Sequence, residues 1–592
     1  MKFNKDIIVG IVISAAILLG WQLISNLLGW NKSAPAPLPS APSAQTAPAV
    51  PVQPTSSQPA AQQAAQPISA EAKPAAVLPS AQPPTVCGAV PVTAGAGPEM
   101  KPEELELAGT EKVVFSRPAL AMVDSITLLA FDNAAKDGKV VLDNNFGGTL
   151  VPPLHCGALS VNGRTAWTVA SVIDHISLPG NGYRVVRKMI DATGKDFKLT
   201  QTWQLKPDYV IDYSVEFSGS AEGSAALPLG DVYVSAGDLQ NLNALTQDIE
   251  QGSEFRINCA TENGAFSMVS VDDDDFAKLP AGQLSWIGIS NKYFAVALKS
   301  DRPFRPFVVR TEYEKKHYLA SVGAVLDNVT IPAGGSLVWH FSYFAGPKTE
   351  SYLSGFDSSA ANMLHLSWGP LNYLARFMLW VLVWLHSICG SYGWSIIILT
   401  IIVRVLLFPV TRKANLSMKK MAAVQPKIKE IREQYKDRPE IMNQKTMELY
   451  RSEKINPLGG CLPLLLQFPV FIALYQSLSG AVQLRQVPFW WSPDLAGPDT
   501  VGHLFGLAIN PLVIAMTLLM VLQQHMTPSA MDPMQKKMMY LMPVVMLFFF
   551  YSLPSGLTLY WTVSQICSIL QMYLQRKWDH KDEAPKPAGA KS

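Results

Sequence analysis

The sequence predicts a multi-domain membrane protein: a six-helix α-helical transmembrane bundle, an all-β domain on the outer side and a helical hairpin on the inner side. Three observations predict it. Hydrophobic residues make up 48% of the 592-residue chain and charged residues only 16%, a balance foreign to a soluble protein of this size. Residues 101–355 alternate apolar and polar side chains with a period of two, the mark of half-buried strands. The stretch 411–455 carries twelve Lys and Arg against six Asp and Glu, between apolar runs, which marks it as cytoplasmic.

The elements follow in chain order. Lys2 and Lys5 precede an apolar run from Ile7 to Trp30 whose 24 residues exceed the core of a cleaved secretory signal. Residues 1–30 are therefore expected to be a retained transmembrane signal anchor with its start inside; cleavage after Ala34-Pro35-Ala36 is the competing reading. Residues 31–100 hold 15 prolines and four charges, too little apolar surface to offset chain entropy, so a disordered tether is expected. In 101–355, Phe197, Leu199, Trp203 and Leu205 alternate up to Lys206-Pro207-Asp208, a hairpin turn. Tyr209, Ile211, Tyr213, Val215 and Phe217 follow it, and Leu337, Trp339, Phe341 and Tyr343 repeat the pattern. Two packed antiparallel sheets are expected.

After Leu371 the apolar runs are 371–389, 393–410, 458–479, 504–523, 538–553 and 557–575. An odd number of crossings must separate the outer domain from the basic stretch, so one of the first two runs lies along the surface. Arg376, His386 and the break at Gly390-Ser391-Tyr392-Gly393 assign this role to the first, within an interface segment 356–392. The crossing segments are then 393–410, 457–479, 504–523, 538–553 and 557–575, and 576–592 is a short basic tail inside. In 411–456, Met421, Val424, Ile428, Ile431 and Tyr435 form a narrow seam of coiled-coil type. Asp437-Arg438-Pro439 interrupts it, and a second helix to about Lys454 completes a hairpin. Such a basic arm either stands solvated or touches anionic lipid or RNA.

Arg404 is the anomaly. It lies inside an apolar run, and none of the six spans contains Asp or Glu to pair with it. A charge there costs several kcal/mol unless hydrated or paired. It is therefore expected to face a wet cavity about 9 Å from the cytoplasmic end of its span, counting six residues to Val410; snorkelling to the headgroups is the plainer alternative. Thr400 lies one turn away on the same face. Gln467, Gln523, Gln524, Tyr560, Trp561, Thr562, Ser564 and Gln565 offer polar partners at similar depth, although each alone also suits a helix-to-helix hydrogen bond.

Nothing in the sequence suggests bond-making chemistry. There is no phosphate loop, no HExxH and no nucleophile with an identifiable base. The six cysteines form no CxxC pair, so no zinc ribbon or disulfide framework follows, and no cofactor or metal is expected. The acidic run Asp272 to Asp275 reads as a solvated loop before a calcium site. A small-molecule transporter or channel is the alternative class, yet internal repeats and paired intramembrane acids are missing. An outer-face enzyme acting on sugars would need acid and base pairs, which His155, His175, His317 and His340 do not form.

Five blocks in order carry a family resemblance: Ser395–Pro409 with Arg404, Gln425-Pro426-Lys427-Ile428, Asn456-Pro457-Leu458-Gly459-Gly460-Cys461, Asp532-Pro533-Met534-Gln535 and Pro554-Ser555-Gly556-Leu557. From about Leu366 to Lys577 the chain resembles the YidC membrane insertases of Gram-negative type. The resemblance implies insertion and folding of integral proteins in the bacterial inner membrane, alone or with the Sec translocon. It implies a hydrophilic groove open to cytoplasm and lipid, with Arg404 as the groove arginine. Thr400 and Trp561 match positions along the substrate path, and Gln524 is carried over with them. The outer domain, by the same resemblance, is periplasmic and similar to a sugar-mutarotase β-supersandwich without its activity. Both chain ends are then cytoplasmic, residues 31–392 lie on the periplasmic side, and the partners are nascent membrane proteins, the bilayer, and a ribosome or targeting factors at the hairpin.

Overall fold

The computed structural model describes residues 85–87 and 103–582, apart from 108–110, 116–122, 145–152, 159–166, 221–224, 240–254, 272–278, 315–316, 454–461, 527–532 and a few isolated positions. The expected anchor at 1–30, most of the tether, the acidic run and the Pro457–Gly460 stretch lie outside the described residues.

The β-domain forms from the alternating segments as expected. Tyr183 pairs with Trp203, Trp203 with Tyr213, and Tyr213 with Phe341, so four neighbouring strands stack their rings along one inward row. The centroids step by 6.1, 5.5 and 5.9 Å, and cross-strand aromatic pairs of this kind hold register. The turn at Lys206-Pro207-Asp208 is where the sequence put it; Asp208 and Tyr209 carry positive φ of 64° and 63° there.

The two expected sheets are joined. Phe294–Glu314 is a strand of 21 residues that serves both. Its first part pairs with Leu284–Ser290 and Ser336–Pro347, and its second with His317–Ile331. The crossing is marked by Arg302-Pro303-Phe304-Arg305-Pro306, where the prolines supply no donors to the ladder and the register slips. A separate meander of four strands, Glu103–Leu107, Glu111–Phe115, Ser125–Asp132 and Lys139–Asn144, precedes them. One expectation is corrected: Thr85–Cys87, assigned to the disordered tether, is a strand parallel to the long one at Phe307–Val309. Three β-favouring residues beside an open sheet edge suffice for pairing, whatever the composition around them.

Helix α1, Glu350–Phe356, leads out of the β-domain and buries Leu353 and Phe356 against it. Helix α2, Pro370–Cys389, buries Ala375, Met378, Leu379, Leu382 and Leu385 as one stripe and leaves Tyr373, Phe377, Trp380 and Trp384 exposed. That exposed face is apolar and aromatic, so α2 suits contact with lipid along its length. Ser477 donates to the Ala375 carbonyl at 2.7 Å and Arg376 pairs with Glu350 at 2.6 Å, which fixes α2 between the domains.

Helix α3 spans Tyr392–Ala423, thirteen residues past the expected end at 410, with Pro409 inside it. The good helix formers Lys413, Ala414, Leu416, Met418, Lys419 and Lys420 carry it on. Helix α4, Gln425–Gln434, and α5, Pro439–Ser452, pack antiparallel: Val424 and Ile428 meet Leu449 and Tyr450, and Lys427 reaches Glu453 at 2.7 Å. Helices α6 (Leu462–Gly480), α7 (Pro511–Met526), α8 (Pro533–Phe550) and α9 (Ser555–Asp582) complete the bundle. The expected span 504–523 starts late. Residues Gly502–Leu504 and Leu507–Ile509 pair as a short hairpin, because Asn510-Pro511 fixes the helix start and Gly506 permits a tight turn.

Candidate functional site

Arg404 projects from the middle of α3. Its Nε donates to Ser564 Oγ on α9 at 2.6 Å, and a second guanidinium nitrogen reaches the same oxygen. Gln467 on α6 donates to Ser564 Oγ at 3.1 Å and to Tyr560 Oη at 2.8 Å. One hydroxyl thus ties three helices. Among the described residues no ion pair involves Arg404, and α3, α6 and α9 contain no acid within the apolar runs. Two of the five guanidinium N–H donors face Ser564, so the group has further donor capacity.

Further contacts extend the α3–α9 seam. Gln571 donates to Thr411 Oγ1 at 3.0 Å, and Asn415 donates to Gln575 at 3.0 Å. With Arg404 and Ser564, each pair differs by 160 positions, so α3 and α9 run parallel, and the steps of seven and four residues are those of one packed helical face.

The structure brings together three of the six candidate residues: Arg404, Gln467 and Tyr560. Thr400 is buried one turn before Arg404 and donates to the Ile396 carbonyl of its own helix at 2.6 Å. Trp561 turns to the neighbouring side, edge-on to Phe471 at 5.2 Å and beside Phe550 at 5.5 Å, and its indole N–H has no hydrogen-bond partner among the described residues. Gln524 is half-buried in the last turn of α7 and is not one of the residues tied by Ser564. Ser564 itself is the hub that spacing did not single out from four other polar positions of the same run. Its distinguishing signal is the seven-residue step to Gln571, which only gains meaning once α9 is rotated against α3.

Comparison with known proteins identifies the family. Residues 122–381 match the family described as the YidC periplasmic domain, and residues 384–583 match the 60Kd inner membrane protein family. A membrane protein insertase YidC of Oleidesulfovibrio alaskensis is 31% identical over 96% of this chain and 98% of its own length. The chain belongs to the YidC membrane protein insertase family. A YidC insertase of Pelobacter propionicus is 41% identical, over 52% of this chain and 56% of its own length. A solved structure described as the active YidC insertase with the first transmembrane domain resolved is 18% identical, covers 80% of this chain and 92% of that one, and superimposes with a TM-score of 0.34. The YidC family name places this chain among inner-membrane insertases with a periplasmic β-rich domain and a helical C-terminal region, and not among enzymes.

Proposed function

We propose that the chain inserts nascent membrane proteins through a hydrated, positively charged groove built around Arg404, with Gln467, Tyr560 and Ser564 as its polar wall. The observation that carries this is a guanidinium whose hydrogen-bond partner among the described residues is neutral, inside apolar runs that lack a carboxylate. Fixed dipoles orient the group without cancelling its charge. A polar or acidic tail of a substrate then finds a compensating partner at a depth where an unsatisfied group is costly. The adjoining hydrophobic segment leaves beside α3 into lipid, where the exposed side chains Ile401, Ile402, Val405 and Leu406 already face outward, and its burial supplies the driving force. Thr400 and Trp561 belong to this path on the family reading, and Gln524 to its inner end.

The orientation has its own support. Parallel α3 and α9 fit five alternating crossings from α3 to α9, all placed by the excess of Lys and Arg around α4 and α5 on the cytoplasmic side. The apolar run at 7–30, outside the described residues, is read as a sixth crossing, which puts both chain ends inside and the β-domain in the periplasm. Helix α2 lies along the periplasmic membrane face, and the α4–α5 hairpin receives substrate from a ribosome or targeting factor. On the family reading the chain acts alone or with the Sec translocon.

The test is insertion of a single-span substrate with a short acidic outer tail into vesicles containing the purified chain. Arg404→Ala is expected to lower insertion about tenfold or more, and Arg404→Lys to retain part of it, since Lys keeps charge but loses the planar fork. Unchanged insertion with Arg404→Ala removes the charge from the mechanism.

A further inference from the structure

The loop between α6 and α7 contains two tight turns, and both are built from the wrong residues for their backbone. In the first, Phe489 and Ser492 exchange backbone hydrogen bonds at 2.9 Å in each direction, which leaves Trp490 and Trp491 as the two central residues. Trp490 has a φ of 51°. In the second, the hairpin 502–509 turns through Phe505 and Gly506, with φ of 52° and 81°. Turns with a positive φ at the first central position favour Gly, Asn or Asp there, because a bulky side chain crowds the backbone in the left-handed region. Here that position holds a Trp and a Phe.

Internal packing does not account for this choice. Phe505 is 97% exposed, and Leu504, Leu507 and Val501 beside it are exposed as well. Trp490 rests on Phe489 at 4.7 Å and meets Trp394 edge-on at 6.1 Å, yet is still 61% exposed. The base beneath the rings is rigid. Asp499 is buried and accepts from the Trp491 indole at 3.0 Å and from the Leu512 backbone N–H at 2.6 Å, joining the first turn to the start of α7. The Val501 N–H donates to the Ile509 carbonyl at 3.0 Å and closes the hairpin. Two strained turns on a fixed base thus hold Phe505 clear of the protein and leave the outer part of the Trp490 ring, which packs on Phe489, Trp394 and Trp491, exposed.

We propose that these turns form an aromatic foot that seats the loop in the interfacial layer of the bilayer. The occupant is lipid, because the patch is continuous with a lipid-contacting surface. It directly precedes α7, whose Ile514, Leu518 and Leu522 are exposed, and it adjoins Trp394 in the first turn of α3. Trp and other rings with an apolar body concentrate at that depth, and an apolar cluster left in water is disfavoured. The proposed outward orientation decides only which leaflet is occupied; the depth of the rings is a separate quantity.

Depth can be read by nitroxide labels on the full chain in phosphatidylethanolamine–phosphatidylglycerol vesicles, with the six native cysteines replaced. Labels at Phe505→Cys and Trp490→Cys should collide with dissolved oxygen more than with a water-soluble nickel chelate, and a control at Glu262→Cys in a β-domain turn should show the reverse. Nickel collisions at 505 equal to those at 262 overturn the proposal. Shielding from both agents at 505 also overturns it, since that is the signature of protein contact. A second comparison removes the rings and gives each turn its favoured residue. The Trp490→Gly, Phe505→Asn double variant should unfold in detergent at no lower temperature than the parent. A label at His503→Cys should then gain about twofold or more in nickel accessibility when the rings are lost. No change at 503 means that the rings do not anchor the loop.

Discussion

An arginine among apolar helices is stable only if its hydrogen bonds and hydration outweigh the cost of leaving water. Here Ser564 supplies the fixed part, accepting from Arg404 and Gln467 at once. Interhelical hydrogen bonds of this kind contribute modestly, so a double-mutant cycle between Arg404→Ala and Ser564→Ala should give a coupling of about 1 kcal/mol in detergent unfolding. The Ser564→Ala variant should also lower insertion while leaving Arg404 charged, which separates orientation from charge. A second residue-scale prediction concerns Glu111, fully buried in the four-stranded meander with both carboxyl oxygens unbonded among the described residues. Burial pushes its carboxyl up to about 8 from 4.5. The folded state then binds the proton more tightly than the unfolded chain. Stability linked to this group is full below 4.5 and lost as the pH rises through 8. Glu111→Gln should therefore raise the unfolding temperature by several degrees at pH 8 and by much less at pH 5, as measured by scanning calorimetry across that range.

At the scale of elements, the start of α3 and the end of α6 are set by close packing. Gly393 opens α3, and a Cβ there would fall inside the ring of Phe489. Since Phe489 is half of the bridge that closes the first aromatic turn, it cannot move freely. Gly393→Ala is expected to cost about 1–3 kcal/mol, read as a lowered unfolding midpoint with the α-helical signal retained. Helix α2 shows the same economy of small contacts: Ser477 reaches across to its backbone, and Leu366 packs against Gly480. Among the described residues the α4–α5 pair is held by a small apolar cluster and an exposed ion pair between Lys427 and Glu453, so it is weakly anchored. Hydrogen exchange should show it opening before α3, α6 and α9.

For the whole molecule, the β-domain and the bundle are connected by more than the chain. Arg485 donates to the Asp132 carbonyl at 2.6 Å and Gln486 to that of Asn133 at 2.6 Å, while Trp286 donates to Ser359 at 2.7 Å. The residues of the proposed groove, Arg404, Gln467, Tyr560 and Ser564, nevertheless all lie on α3, α6 and α9. Removing residues 101–347 should leave insertion of a short-tailed substrate largely intact, with a lower unfolding temperature because Leu353, Phe356 and Met363 lose their cover. An activity residing in the β-domain would vanish entirely in the same assay.

Much of this architecture was legible in residue order. Period-two alternation gave the aromatic strands around Trp203 and Tyr213, the seam through Val424 and Ile428 gave the α4–α5 contact, and the solitary Arg404 pointed to the site proposed above, because each is a local pattern or a local violation of one. Tertiary structure alone decided that Ser564 and not its polar neighbours meets Arg404, that Trp561 turns toward Phe471, and that one strand of 21 residues joins the two sheets. The rotation of one helix against another, and the point where a strand changes sheets, are set by packing between segments far apart in the chain. Apolar residues at 504–509 look the same in a strand as in a helix; the choice fell to Pro511 and the buried carboxylate of Asp499 that accepts from the first turn of α7.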